Sequence, residues 1–224
     1  MKRLYRNNIL LIFILLIIIS CKETVQKELV TSRVEALPFF DEGSFTPIWL
    51  NKDSKELKTF HKIPDFNFIN QEGKVVTQKT FENKIYVADF FFTTCPGICP
   101  IMTSNMGMVQ EKFKEDQSVL ILSHSVTPKI DSVPQLKKYA IEKGIISSKW
   151  HLITGERSEI YNLGRNFYFV DDDLGVKKSD DDFLHTENFV LIDKQKHIRG
   201  IYNGLNKNDV KQLIADIETL KKEG

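Results

Sequence analysis

Apolar residues along this chain fall into three patterns, each predicting a different element. An unbroken run of eleven, Ile9 to Ile19, lies near the start. Short runs rich in β-branched and aromatic residues follow, over 65–69, 75–78, 85–92, 119–126, 151–154, 188–193 and 197–202, and these read as strands. A turn is predicted over 81–84, and a tight turn over 194–196 joins the last two strands. In the third pattern apolar positions recur at helical spacing. Met102, Met106, Val109 and Phe113 lie 4, 3 and 4 residues apart. Helices are also predicted over 133–143, ended by Gly144, over 158–167, and over 208–222 with Val210, Leu213, Ile214, Ile217 and Leu220 on one stripe. The order is β, α, β, α, then β, β, α. It predicts an α/β fold, a central mixed sheet with helices on both faces.

The first apolar run has a different meaning. It follows Lys2, Arg3 and Arg6 and reaches Ser20 and Cys21, the layout of an export signal. Eleven residues fall well short of the roughly 20 that span a bilayer as a helix. Ile18-Ile19-Ser20-Cys21 resembles the lipobox of bacterial lipoproteins, in which the signal is removed before the cysteine and that cysteine is acylated. The expected organisation is a signal peptide over 1–20, a tether over 21–35 acylated at Cys21, and one folded domain over 36–224. The anchor would sit on the extracytoplasmic, periplasmic side of a bacterial membrane. The aromatic-rich segments 37–40 and 45–49 are expected to pack back on the domain.

Charge adds an exclusion. Loss of Lys2, Arg3 and Arg6 from the 31 basic residues leaves 28 against 30 acids, with the lysines spread along the chain. A nucleic-acid partner would require a basic face, so that class is set aside. Acylation of Cys21 would leave two thiols of the three cysteines, in a compartment where unprotected pairs oxidise.

Those two thiols stand in Cys95-Pro96-Gly97-Ile98-Cys99-Pro100, where the third predicted strand meets the first helix. Pro-Gly suits the centre of a type II turn, so a fold-back is expected between Cys95 and Ile98. Pro100 suits the first helical position, which would make Cys99 the helix cap and favour its thiolate. Two thiolates so held can close a disulfide or jointly hold a soft metal such as Cu(I).

The residues resemble the thioredoxin-like superfamily and, within it, the Sco (SenC) copper proteins. The resemblance rests on Thr94 followed by the CxxxCP motif, on Ser125-Val126-Thr127-Pro128-Lys129-Ile130-Asp131, on Leu136-Lys137-Lys138-Tyr139-Ala140, and on a late His185 before a strand. It implies a thioredoxin-like fold, and copper, Cu(I) or Cu(II), held by Cys95, Cys99 and His185. It further implies a metallochaperone serving the copper centre of cytochrome c oxidase subunit II, or another cuproprotein client. Two thiolates and an imidazole suit both oxidation states. There are departures: Leu184 and Thr127 stand where relatives commonly have acids. A carboxylate orienting His185 would have to come from Asp181, Asp182 or Glu187.

The rival reading is a thiol-disulfide oxidoreductase acting through Cys95 and Cys99 on that copper site or on other exported proteins. Against general thioredoxin chemistry stand the CxxxC spacing and the absence of any proline after Pro134, which removes the cis-proline of thioredoxins. A peroxiredoxin-type peroxidase lacks its motif here, with Ala88 and Phe92 at the corresponding places. A purely structural disulfide closes too short a loop to stabilise much. Of the other histidines, His61, His151 and His197 have no support as ligands and His124 is a reserve. Met102 and Met106 share the core stripe and are read as packing residues. Asp171 to Asp173 and Asp180 to Asp182 are read as solvated loop.

Overall fold

Seven consecutive residues, Ile85–Phe91, are buried without alternation, as a strand covered on both faces must be, and form the inner strand β3. The computed structural model describes residues 30–170, Leu184 and residues 186–223. Among them, one sheet has the order β2-β1-β5-β4-β3-β6-β7. Its other strands are β1 Asn67–Asn70, β2 Val75–Thr77, β4 Val119–Ser125, β5 Trp150–Thr154, β6 Asn188–Ile192 and β7 Ile198–Asn203. The helices are α1 Cys99–Lys112, α2 Val133–Lys143, α3 Arg157–Asn166 and α4 Lys207–Glu223. β3, β4 and β5 run parallel, and β6, β7, β1 and β2 join antiparallel. The β3–β4 register pairs Ile85 with Val119 and Phe91 with Ser125.

Period-two alternation along β3 divides the core. Ile85, Val87 and Phe91 pack with Met102, Met106 and Val109 of α1, Leu136 of α2 and Leu213 and Ile217 of α4. Tyr86, Ala88 and Phe90 face the other way, onto Ile160 and Leu163 of α3 and onto Phe40, Ile63 and Phe66. Helices therefore cover both faces, as the periodicity predicts. The Met102–Phe113 stripe is core, and Gly144 ends α2 with φ 67° in the left-handed region.

The segment before the sheet is pinned at the start of β3. The Leu37 N–H donates to Glu223 Oε1 (2.8 Å), and the Phe40 N–H to the Ile198 carbonyl (3.2 Å). Arg199, stacked over Phe39, donates to Asp193, Glu223 and the carbonyls of Leu37 and Pro38. Ile85, Phe39, His197, Leu220 and Glu223 line one cavity of about 480 Å³ at this end.

Three expectations change. Gln78 does not extend β2, because Thr77 caps a 3-10 turn over Gln78–Phe81 with a reciprocal capping box. Leu37, Phe39 and Phe40 are buried as expected, but Trp49 is 60% exposed. Val34 already packs against the core, inside the stretch read as tether. Among the described residues no helix is long and apolar enough to cross a membrane. Cys21 lies outside the described residues.

Candidate metal centre

Parallel strands deliver their C-terminal ends to one edge of the sheet, the usual place for ligand chemistry in α/β folds. β3 ends there, and residues 92–98 carry the chain into α1. The Cys95 N–H donates to the Phe92 carbonyl (3.3 Å), closing a turn ahead of the first thiol. The type II turn expected at Pro96-Gly97 does not form. Gly97 lies outside the positive-φ region, and the chain bends through 96–98 into the helix. Cys99 is not the cap either. Ile98 is, at φ −80° and ψ −31°, with its carbonyl accepting from the Ile101 and Met102 N–H groups, and Cys99 is the first helical residue.

Burial, not the helix end, decides the chemistry of this thiol. Cys99 is 5% exposed; burial, together with its hydrogen bond to Cys95, pushes its pKa up to about 12. Burial also opposes ionisation of the half-buried Cys95. The Cys99 thiol and the backbone N–H groups of Cys99, Gly97 and Ile98 outweigh it, so the Cys95 pKa falls below the ordinary thiol value. Of the two sulfurs Cys95 is thus the more readily ionised, in place of the Cys99 thiolate expected at a helix cap. Both thiols are free. Brief iodoacetamide treatment at pH 8 followed by peptide mass analysis should find Cys95 modified and Cys99 spared; equal labelling would contradict this asymmetry.

Cys95 and Cys99 open onto an apolar cavity of about 230 Å³. Phe90, Phe91, Phe92 and Val126 line it from the strand ends, and Leu184 and Thr186 from the chain entering β6. His185 lies outside the described residues, and its two chain neighbours line the same cavity as the thiols. Among the described residues no group of three His, Cys, Asp or Glu side chains could hold a metal. Asp181 and Asp182 also lie outside the described residues, and the Glu187 carbonyl accepts from the Gly204 N–H (2.7 Å).

The other histidines are employed away from the thiols. His124 is wholly buried among Phe66, Phe68, Phe90 and Tyr168, with Nδ1 against the Asp89 carbonyl (3.2 Å); burial lowers its pKa to about 4. It is a neutral core residue rather than a reserve ligand. His61 bonds the Phe167 carbonyl, His151 meets Asn70, and His197 meets Asp193.

Sequence reasoning missed two carboxylates. Asp89, in β3, accepts from Ser123, whose Oγ accepts from Trp150 Nε1 (2.7 Å), and burial raises its pKa to about 7. One acid inside an otherwise apolar run is the signal that could have found it. Asp131 is fully buried at the start of α2 and bonds the Thr93 backbone and hydroxyl. No local pattern marks that contact.

Gly164 of α3 also shapes the cavity. A Cβ there would lie 2.5 Å from Leu184 Cδ1 and 3.0 Å from Phe90 Cε1. Gly164→Ala must displace Leu184, so it is expected to cost about 1–3 kcal/mol in urea unfolding. An unchanged unfolding midpoint would mean that this wall is soft.

The SCO1/SenC family model matches residues 54–222. A SCO1/SenC family lipoprotein from Bacillus anthracis str. Ames superposes with a TM-score of 0.63 at 31% identity, over 72% of this chain and 95% of that one. BsSco, described as a member of the Sco family of cytochrome c oxidase assembly proteins with a disulfide switch, gives 0.61 at 32%, over 72% and 94%. Arabidopsis thaliana ScoI, solved with copper bound, gives 0.54 at 29%, over 71% and 96%.

Proposed function

The chain belongs to the SCO1/SenC family, and from that premise we propose that it is a copper metallochaperone of thioredoxin-like fold, holding its cargo through Cys95, Cys99 and His185. The client is the copper centre of cytochrome c oxidase subunit II. The observation that carries this reading is the shared cavity. Two thiols form one wall, and Leu184 and Thr186, on either side of His185, form another. Soft sulfur donors suit Cu(I), and imidazole adds a donor that suits Cu(II). The similar Arabidopsis protein carries copper, and the similar BsSco is described as an oxidase assembly protein. Cys21 supplies the acyl anchor, on the extracytoplasmic face of a bacterial membrane, as the lipoprotein description of the Bacillus anthracis relative supports.

One observation favours thiol-disulfide exchange as a second reading. Cys95 is half-buried and its pKa lowered, while Cys99 is buried and holds its proton, the division between an attacking and a resolving thiol. Anaerobic Cu(I) titration of the reduced protein against a competing chelator decides between them. The chaperone reading expects one tight equivalent. No binding, with a Cys95–Cys99 disulfide that cycles against glutathione, would replace it with an oxidoreductase.

A further inference from the structure

Asp131 carries no chemistry in the account above, yet it is one of the most completely engaged side chains in the molecule. It is 0% exposed. Oδ1 accepts from the Thr93 hydroxyl (2.5 Å), and Oδ2 from the hydroxyls of Ser125 (2.6 Å) and Thr127 (3.0 Å). The Thr93 backbone N–H lies 3.3 Å from both oxygens. Among the described residues no cation pairs with it. A buried carboxylate without a counterion is costly unless its lone pairs are filled, and here four donors fill them.

The location of those donors gives the arrangement its meaning. Ser125 ends β4 and Thr127 follows it. Thr93 sits inside the turn closed by the Cys95 N–H on the Phe92 carbonyl, two residues ahead of the first thiol. Gln135 of α2 donates to the same Thr93 hydroxyl (3.0 Å). The loop that presents Cys95 is therefore fastened through Thr93 to the loop between β4 and α2. Cys99, fixed in the first turn of α1, has no such need. From this geometry we infer that Asp131 is the positioning residue for Cys95, setting where that sulfur stands relative to Cys99. The inference rests on the reading of Cys95 and Cys99 as the working thiols.

Its test separates positioning from simple stability. Asp131→Ala removes the acceptor for four donors and frees the Thr93 turn. Cys95 is then no longer held against the N–H groups of Gly97, Ile98 and Cys99 that support its sulfur in the dithiol. The Cys95–Cys99 couple, equilibrated against glutathione, should move toward the disulfide at least about tenfold, or about 30 mV. Copper affinity should fall about 10- to 100-fold, as when the partner that orients a ligand is lost. Asp131→Asn keeps an oxygen for the Thr93 N–H and can donate to the Ser125 or Thr127 hydroxyl, so it should restore both readouts.

A fall in melting temperature alone, with disulfide equilibrium and copper affinity at wild-type values, would overturn the inference. So would failure of Asp131→Asn, folded, to restore them. Thr93→Val provides a milder variant should Asp131→Ala fail to fold. It should shift the equilibrium in the same direction, and no shift would overturn the inference. The disulfide equilibrium needs no copper, so a wild-type protein that binds none would refute the chaperone reading while leaving Asp131 testable.

Discussion

Replacement of either Cys95 or Cys99 by serine is expected to lower Cu(I) affinity by more than about 100-fold. Loss of a residue that merely orients a metal ligand costs about 10- to 100-fold, and loss of the ligand itself removes more. Serine offers a hard, protonated oxygen where Cu(I) prefers a thiolate. Cys99 is the stricter test because it is nearly inaccessible, so a serine there cannot be bypassed by another sulfur from solvent. His185→Ala should behave differently. Its loss should weaken Cu(II) more than Cu(I), since imidazole suits the harder ion and the two thiolates the softer one. Chelator competition under anaerobic conditions reads the first effect, and the Cu(II)-thiolate absorption band reads the second. Full Cu(II) affinity in His185→Ala would remove that residue from the site.

Asp89→Asn is expected to stabilise the reduced protein at pH 8 on the order of 4 kcal/mol. The folded-state pKa of Asp89 is about 7 against an ordinary 3.8. A group raised on folding gives stability that is fully present below its unfolded pKa and lost as pH climbs through the folded one. Asp89 therefore weakens the fold progressively from about pH 4 to 7. His124 has the opposite sign: its pKa is lowered from 6.5 to about 4, so stability drains as pH falls through that interval. Between about pH 4 and 6.5 the two slopes oppose one another, and their sum is nearly flat. Asparagine keeps an acceptor for Ser123 and removes the Asp89 slope, so the variant should gain about 3 kcal/mol between pH 4 and 6.5 from His124 alone. His124→Phe should lose stability with rising pH instead. Urea unfolding from pH 4 to 8 reads all three; parallel profiles for wild type and Asp89→Asn would refute the assignment.

Local signals were the ones that could be read from the residues. The β3 run, the α1 stripe and the Gly144 stop each encode their element within a dozen positions, and each is found where periodicity puts it. The thiol pair was legible for the same reason. Its electrostatics were not, because the burial that makes Cys99 hold its proton comes from how α1 packs into the core, which no local pattern states. Pro-Gly favours a type II turn in isolation, but here the loop also carries a tie from Thr93 to Asp131, 38 residues on, that no local pattern announces. Nor does periodicity say that Leu184, Thr186 and Phe90 converge on one cavity, since only the antiparallel docking of β6 on β3 brings them together. Trp49 shows the converse, an aromatic residue that composition places inside and the fold leaves in water.

The pinning of Leu37 to Glu223 sets the entry of the chain and the thiols at opposite ends of the domain. The chain enters the domain beside the start of β3, and Cys95 lies past its end, seven residues or roughly 20 Å along the strand. An anchor at Cys21 would thus hold the domain by its foot, with the sulfurs at the head. A partner that meets the sulfurs approaches from the end of the domain opposite the chain's entry.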